Sequence, residues 1–133
     1  MIAETDTTAK AEKTDNLKYE YLQVRATVNN FTSHNMTVTG SNLSWGKWMQ
    51  SPVDTPAGDS SVFSSQGRDS SPSGTEGWAT WKIGSAEIKV TFECPLRGSN
   101  KQTITCTPSN AFKVSCTGTG GDVNSIVYKI QKA

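Results

Sequence analysis

Residues 87–93 read Glu-Ile-Lys-Val-Thr-Phe-Glu, and this stretch decides the fold class. Apolar Ile88, Val90 and Phe92 alternate strictly with polar residues, which is typical of a strand with one buried face. Working outward, alternation and turn residues predict short strands over 22–28, 36–39, 43–48, 61–65, 78–83, 87–93, 102–107, 111–117 and 123–130. Gly40-Ser41-Asn42 is expected to end the second strand, and Gly46 to interrupt the third. Such regular spacing predicts a single-domain antiparallel β-sandwich of the all-β class.

The composition agrees with an all-β fold. The chain has 133 residues, enough for one domain, and contains 17 Thr, 16 Ser and 11 Gly. Thr favours strands, while Gly and Ser favour tight turns, so few helices are expected. Residues 1–17 show no apolar period and are predicted to form a flexible N-terminal arm, with the folded domain at 18–133. Residues 50–76 form a long polar stretch, which is usually functional or mobile in a compact domain.

Charge and hydropathy exclude two kinds of partner or location. Thirteen basic against twelve acidic residues give a net charge of +1, without a basic cluster, so nucleic-acid binding is not expected. The chain contains no apolar run of 18 residues or more, so no membrane-spanning helix is predicted. The first residues lack a basic start followed by an apolar stretch, which argues against a secretory signal peptide. We therefore expect a soluble protein that stays cytoplasmic until released.

Neither a catalytic nor a metal-binding set is evident. The single histidine, His34, lies in a predicted turn and is interpreted as an exposed turn residue. Cys94, Cys106 and Cys116 have strand-like spacing rather than zinc-ligand spacing, so they are interpreted as small buried residues. A disulfide between Cys106 and Cys116 is the alternative. We expect no cofactor, no metal and no enzymatic activity.

The aromatic residues are the most informative feature for function. Trp45 and Trp48 lie three residues apart, as do Trp78 and Trp81, and positions three apart in a strand point to opposite faces. Each pair is thus expected to contribute one core Trp and one outward Trp, with Trp81 in the core and Trp78 outward. The outward rings could form a patch for a membrane interface or a ligand. The alternative, that all four are core or rim residues, stays open.

Several short motifs occur in a defined order along the chain. They are Ser44-Trp45-Gly46-Lys47, then Gly67-Arg68 followed by a small polar run to Gly74-Thr75-Glu76-Gly77, then Cys94-Pro95 followed by Gly98-Ser99-Asn100. In this order and spacing the chain resembles the aegerolysins from about residue 20 to its C-terminus. Aegerolysins are small β-sandwich proteins of fungi and bacteria that bind particular membrane lipids.

The resemblance implies a function as well as a fold. Members bind sphingomyelin with cholesterol, or ceramide phosphoethanolamine, and several act with a larger partner that carries a membrane-attack-complex/perforin domain. The aegerolysin recognises the membrane and the partner forms the pore; some bacterial pairs are insecticidal. By resemblance, this chain is expected to be the lipid-recognising component of such a two-component cytolytic toxin.

The family's site residues carry over unevenly. Trp45 matches the family Trp of the Ser-Trp-Gly-Lys motif. Leu96 stands where fungal lipid binders have a Trp directly after Cys-Pro, and Ser73 or its neighbours stand where they have a Glu, with Glu76 a few residues later. Tyr19 or Tyr21 lies closest to their N-terminal strand Trp. Trp48 and Trp78 are additions that would rebuild an aromatic patch with a different lipid selectivity.

A lipid-binding site follows from these assignments. Loops that carry aromatic or apolar anchors are expected to touch the bilayer, with basic side chains near lipid phosphates. Three anchors at about 1.5–3 kcal/mol each would support micromolar binding. The predicted site consists of Trp45, Lys47, Trp48, Arg68, Trp78, Leu96 and Arg97.

Two other classes of function remain as alternatives. Exposed Trp rings also stack on sugar rings, so a glycan-binding, lectin-like module is the runner-up. A protein-binding subunit that only nucleates its partner is the third possibility.

Overall fold

The computed structural model describes residues 19–69 and 72–133 and contains nine strands in this part of the chain. The predicted N-terminal arm, residues 1–17, lies outside the described residues, and the domain boundary at 18 stays a prediction. The strands are β1 Gln23–Phe31, β2 Met36–Trp45, β3 Lys47–Gln50, β4 Ser60–Gln66, β5 Thr75–Ile83, β6 Ala86–Cys94, β7 Lys101–Thr107, β8 Phe112–Thr117 and β9 Val123–Lys132.

The strands form two sheets that pack as a sandwich. Sheet one has five strands in the order β3-β4-β1-β9-β8, and sheet two has four in the order β2-β5-β6-β7. This confirms the all-β sandwich predicted from sequence. Neighbouring strands are antiparallel with one exception, because β1 and β9 run parallel from Gln23 beside Val123 to Phe31 beside Gln131. Local alternation gave no indication of this parallel pair.

The core lies between the sheets and is built around Phe63. Its ring contacts Phe92 of the opposite sheet at 5.1 Å between centroids, and also Trp81 and Tyr128 at 6.3 Å each. Trp81 is fully buried, as predicted, and its indole N–H donates to the Val53 carbonyl oxygen at 2.9 Å. The Tyr128 hydroxyl donates to a backbone carbonyl of sheet two, and burial raises the pKa of that hydroxyl far above its ordinary value.

The second strand departs from its prediction. β2 does not end at Gly40-Ser41-Asn42 but continues to Trp45, with a bulge between Val38 and Gly40. A glycine suits this position because a Cβ on Gly40 would lie 3.3 Å from the Trp78 ring. Gly46 separates β2 from β3, and β4 divides the polar stretch, both as predicted.

The histidine and the cysteines are placed much as expected. His34 is exposed in the β1–β2 turn, and its ring centroid lies 5.7 Å from that of Phe112 in an edge-to-face arrangement. Each cysteine carries a thiol rather than a disulfide. Cys94 and Cys106 are buried, and Cys116 is half-buried, so that burial raises the pKa of its thiol.

Candidate functional site

Strand order brings five connections together at one end of the sandwich. They are the approach to β1 at residues 19–22, the β2–β3 turn at Gly46, and the β4–β5, β6–β7 and β8–β9 loops. We call this the loop end. The opposite, far end carries the β1–β2, β3–β4, β5–β6 and β7–β8 connections. Trp45, Lys47, Arg68, Leu96 and Arg97, all predicted to bind lipid, lie at the loop end.

The β2–β3 turn places Trp45 and Lys47 side by side at this end. Gly46 has a φ of 96°, which favours glycine, and a Cβ there would lie 2.5 Å from the Gln66 carbonyl oxygen. The turn therefore packs tightly and passes the chain from sheet two to sheet one. Trp45 is left 52% exposed, the most exposed aromatic residue of the described loop end.

Basic side chains surround this turn. Lys47 forms an ion pair with Glu20, and the hydrogen bond to that carboxylate raises the pKa of the Lys47 ammonium. Arg68 donates from its Nε to the Gly46 carbonyl oxygen at 3.2 Å, so its guanidinium lies beside the turn. Because Lys47 and Arg68 are both exposed, they can also bind an anion that approaches from solvent.

The β4–β5 and β6–β7 loops pack against each other through Gly74. Gly74 has a φ of 74°, and a Cβ on it would lie 2.3 Å from the Cys94 carbonyl oxygen and 3.1 Å from the Leu96 nitrogen. Leu96 is half-buried and packs against the core, whereas Arg97 is exposed. Leu96 therefore offers less free apolar surface than expected for an anchor.

A buried asparagine fixes the remaining loop. Asn124 of β9 is fully buried, and its amide nitrogen lies 3.1 Å from the Glu93 carbonyl oxygen, to which it donates. Its side-chain oxygen accepts from the Thr119 N–H at 3.0 Å. Asn100 of the β6–β7 loop donates to the Thr119 carbonyl oxygen at 2.8 Å. The β8–β9 loop is thus held against the β6–β7 connection.

Four residues of the predicted site lie in strands rather than on loops, which corrects the sequence-based placement; Trp45 and Lys47 are the strand ends that flank Gly46, whereas Trp48 and Trp78 lie further inside their strands. Trp48 lies in β3, half-buried, with ring centroids 6.2 Å from Phe63 and 5.9 Å from Phe92. Because it completes the core beneath the loop end, it has little surface to offer a bilayer. Trp78 lies in β5 on the outer face of sheet two, which confirms its outward direction but not a loop position. Their roles in lipid binding remain predictions.

Trp78 belongs to a groove that no local sequence pattern indicates. This sheet-two groove has a volume of about 270 Å³ and lies on the outer face near the loop end. Lys89 places its ammonium 5.5 Å from the Trp78 ring centroid. Only the register of β2, β5, β6 and β7 brings the lining side chains together. The groove is lined by Ser44, Glu76, Gly77, Trp78, Lys89, Thr91, Phe92, Glu93, Lys101 and Thr103.

Two features are absent from the described part of the chain. Residues 19–69 and 72–133 contain no group of three or more His, Cys, Asp or Glu side chains placed to hold a metal ion. Over the same residues, no helix is long and apolar enough to cross a membrane.

The protein is thus a β-sandwich whose loop end presents an exposed aromatic ring among basic side chains. The aegerolysin family model matches residues 21–133, and the chain belongs to this family. A comparison with curated proteins finds no match.

Solved structures show the same fold at low sequence identity. The RahU protein, solved in complex with a TRIS molecule, has a TM-score of 0.74 at 16% identity, over 86% of this chain and 97% of RahU. The lipid binding protein Nakanori has a TM-score of 0.75 at 11% identity, over 84% of this chain and 71% of Nakanori. IP-1A from Alcaligenes faecalis has a TM-score of 0.73 at 23% identity, over 88% of this chain and 95% of IP-1A.

Proposed function

We propose that this protein recognises membrane lipid through its loop end and recruits a larger pore-forming partner of the membrane-attack-complex/perforin type. The target is a sphingolipid such as sphingomyelin or ceramide phosphoethanolamine. The observation that carries the proposal is the exposed Trp45 ring beside Lys47 and Arg68. Membership of the aegerolysin family and the similarity to Nakanori, a lipid binding protein, support it.

The chemistry of this end suits a bilayer surface. A Trp ring prefers the depth of the headgroups because it is apolar but carries one N–H donor. Lys47, Arg68 and Arg97 would lie near lipid phosphates, where charge-assisted hydrogen bonds form. Sphingomyelin and ceramide phosphoethanolamine are zwitterionic, so the basic residues gain from contacts with individual phosphates rather than from a net surface charge. The role proposed is binding, without catalysis.

The exposed surface limits how tightly one copy can bind. Trp45 contributes about 1.5–3 kcal/mol on insertion, while Leu96 and Trp48 are already packed against the core. One ring and a few cations fall short of the roughly 8 kcal/mol that micromolar binding requires. Specific headgroup contacts, or several copies acting together, must supply the difference. We therefore expect steep dependence on lipid type and on surface density of the lipid.

The proposed function is tested by co-sedimentation of the purified chain with vesicles. The panel holds sphingomyelin with and without cholesterol, ceramide phosphoethanolamine, and phosphatidylcholine alone. Selective pelleting with one sphingolipid is the expected result, and it would identify the receptor in the same step. Dye release should require the added perforin-type partner, because the described strands are all committed to the sandwich.

Three outcomes would contradict the proposal. Pelleting with no lipid, together with binding on a glycan array, would favour the lectin-like function. Pelleting only after the partner is added would make the chain a protein-binding subunit. Equal pelleting with every lipid would remove the sphingolipid specificity.

A further inference from the structure

We propose that the outer face of sheet one is a docking surface for an acidic segment of a partner protein, with Arg25 as the anchoring residue. Under the proposed function this partner is the pore-forming protein, and to that extent the inference rests on the proposed function. Because the strands run from the loop end to the far end, this face stays open when the loop end contacts a membrane.

The two sheets differ in charge. Counted over their described ranges, the five strands of sheet one contain five basic residues and no acidic one. The strands of sheet two contain three Glu and three Lys. Lys82 lies opposite Glu87, and Lys101 lies opposite Glu93. Opposite charges placed in this way stabilise a sheet. The strands of sheet one have no carboxylate for their cations, so a partner can supply it.

A groove of about 340 Å³ lies on this face at the centre of sheet one. Arg25 is the only charged side chain among the described residues that line it. In the strand register Arg25 lies between Ser64 of β4 and Ser125 of β9. A carboxylate that enters the groove would meet a guanidinium flanked by two hydroxyl groups. A guanidinium binds a carboxylate with two parallel hydrogen bonds, which makes the pair both strong and specific.

A hydrogen bond within the protein positions the Arg25 guanidinium. Its Nε donates to the side-chain oxygen of Gln23 at 2.9 Å. The amide nitrogen of Gln23 in turn donates to the Glu20 carbonyl oxygen at 3.2 Å. Arg25 is exposed, so the N–H donors of its terminal nitrogens can reach a ligand. A side chain that is positioned before binding loses less conformational freedom on binding, which favours affinity.

Apolar side chains lie beside the arginine on the same face. Thr27, two residues after Arg25, lies between Val62 of β4 and Val127 of β9. Val62 is 46% exposed, and Val127 is half-buried. Phe31 is exposed and lies on the same side of β1 toward the far end, because side chains alternate along a strand. Arginine and aromatic residues dominate many protein–protein interfaces, so this combination favours a protein over a free anion.

Charge also decides among the other possible occupants. Two copies that met through this face would place cations against cations, which disfavours a symmetric dimer. Sheet two of another copy offers as many basic as acidic residues in its strands and provides no complementary charge. The phosphates of a nucleic acid would meet the cations but gain nothing from Val62. An acidic protein segment with apolar side chains beside its carboxylate matches both features of the face.

The test is an NMR titration of the full chain with the peptide acetyl-Leu-Glu-Leu-amide. The control peptide, acetyl-Leu-Gln-Leu-amide, has the same shape without the charge. The Arg25 Nε–H and the amides of Thr27, Ser64 and Ser125 should shift and saturate with the Glu peptide. The Gln peptide should bind about tenfold more weakly, because it lacks the charge-assisted hydrogen bonds. Equal binding of the two peptides, or no saturable shift in sheet one, would overturn the inference.

Variants separate docking from a structural role. Arg25→Gln should weaken binding of the Glu peptide about tenfold and make the two peptides equal, whereas Arg25→Lys should restore part of the difference. Val62→Ser should weaken both peptides about two- to threefold, because an apolar contact is lost. Arg97→Gln makes the same change at the loop end and should bind the Glu peptide normally. An equal loss in Arg97→Gln, or no loss in Arg25→Gln, would contradict the assignment.

Two further measurements distinguish the occupant and separate this inference from the proposed function. Inorganic phosphate or a DNA duplex that binds the same residues more tightly than the Glu peptide would contradict protein docking. Sphingolipid vesicles should pellet Arg25→Gln as well as the unchanged chain, because Arg25 lies outside the loop end. Weaker pelleting of Arg25→Gln would place this face at the membrane and overturn the inference. Peptide binding by a chain that no vesicle pellets would support the docking surface and contradict the proposed function alone.

Discussion

At each end of the sandwich a buried asparagine bonds the backbone of the loops, but the two ends expose different surfaces. Asn124 is buried at the loop end and bonds backbone groups of Thr119, Glu93 and Lys101. Asn30 is buried at the far end, where its amide donates to the carbonyl oxygens of His34 and Thr55 at 2.7 and 3.1 Å. Buried polar groups are costly unless bonded, so both asparagines are structural. The two ends differ in the side chains that they expose to solvent.

Exposed apolar surface alone does not distinguish the ends. Phe31 at the far end is 57% exposed, slightly more than Trp45 at the loop end. The far end's longest loop carries Asp54 and Asp59 and no basic residue, whereas Lys47, Arg68 and Arg97 surround Trp45. A lipid phosphate beside Trp45 would therefore meet cations, whereas one at the β3–β4 loop would meet carboxylates. The comparison teaches that an aromatic ring indicates a membrane face only together with its neighbouring charges.

The largest expected effect comes from loop packing and compares two glycines. Gly74→Ala at the loop end should lower the free energy of unfolding by about 3 kcal/mol or more, because the new Cβ meets the Cys94 carbonyl oxygen. Gly58→Ala at the far end has a similar φ of 73° but open space around it, so about 1 kcal/mol is expected. Urea denaturation measures both. Equal losses of unfolding free energy in the two variants would mean that the close approach of Gly74 to the Cys94 carbonyl oxygen does not matter for stability.

The next effect compares two equally exposed aromatic residues. Trp45→Ala should weaken vesicle binding by about ten- to a hundredfold, since about 1.5–3 kcal/mol of apolar burial is lost. Phe31→Ala should leave binding unchanged. Vesicle co-sedimentation with the preferred lipid measures both variants, after circular dichroism confirms that each is folded. Weaker vesicle binding by Phe31→Ala would mean that the far end contacts the membrane, which contradicts the account.

A smaller effect concerns charge. Arg97→Gln should weaken binding about fivefold at low salt, because a charge-assisted contact with a lipid phosphate is lost, and the loss should shrink as ionic strength rises. Lys82→Gln removes an equal charge from the exposed face of β5 toward the far end and should have no effect. Titration with vesicles at two salt concentrations checks this. A salt-independent loss would point to a structural role for Arg97.

The smallest effect concerns the ion pair of the loop end. Glu20 raises the pKa of Lys47 above its ordinary value of 10.5, so the folded state binds this proton more tightly than the unfolded state. Its stabilising contribution is full below that ordinary value and is lost as pH rises through the higher folded pKa. Glu20→Gln should lower the Lys47 pKa toward 10.5 in an NMR titration. An unchanged pKa would show that the pair does not persist in solution.

Much of the fold could be predicted because strand alternation is local. Trp81 in the core and Trp78 outward follow from parity alone, and Ile88, Val90 and Phe92 are all buried. The bulge at Gly40 could not be predicted, because it depends on a Trp78 ring about forty residues further along the chain. The parallel β1–β9 pair joins the two ends of the domain, which no local pattern records.

Part of the candidate site could be predicted because several of its residues lie in short, local sequence motifs. The motif residues Trp45, Lys47, Arg68, Leu96 and Arg97 lie together at the loop end, and their role in binding stays a prediction. Only packing shows that Leu96 and Trp48 rest against the core. The sheet-two groove needed the register of β5, β6 and β7, which brings Glu76 opposite Glu93. Because the predicted strand began at Trp78, Glu76 lay outside it and no sequence signal indicated this pair.

Hydrogen–deuterium exchange of the vesicle-bound protein tests the central claim most directly, because it reports both ends at once. We predict slower exchange on membrane binding in the turn around Gly46 and in the β4–β5 and β6–β7 loops, with the β1–β2 and β3–β4 loops unchanged. Slower exchange in the far-end loops of the bound protein, with the loop end unchanged, would contradict the account.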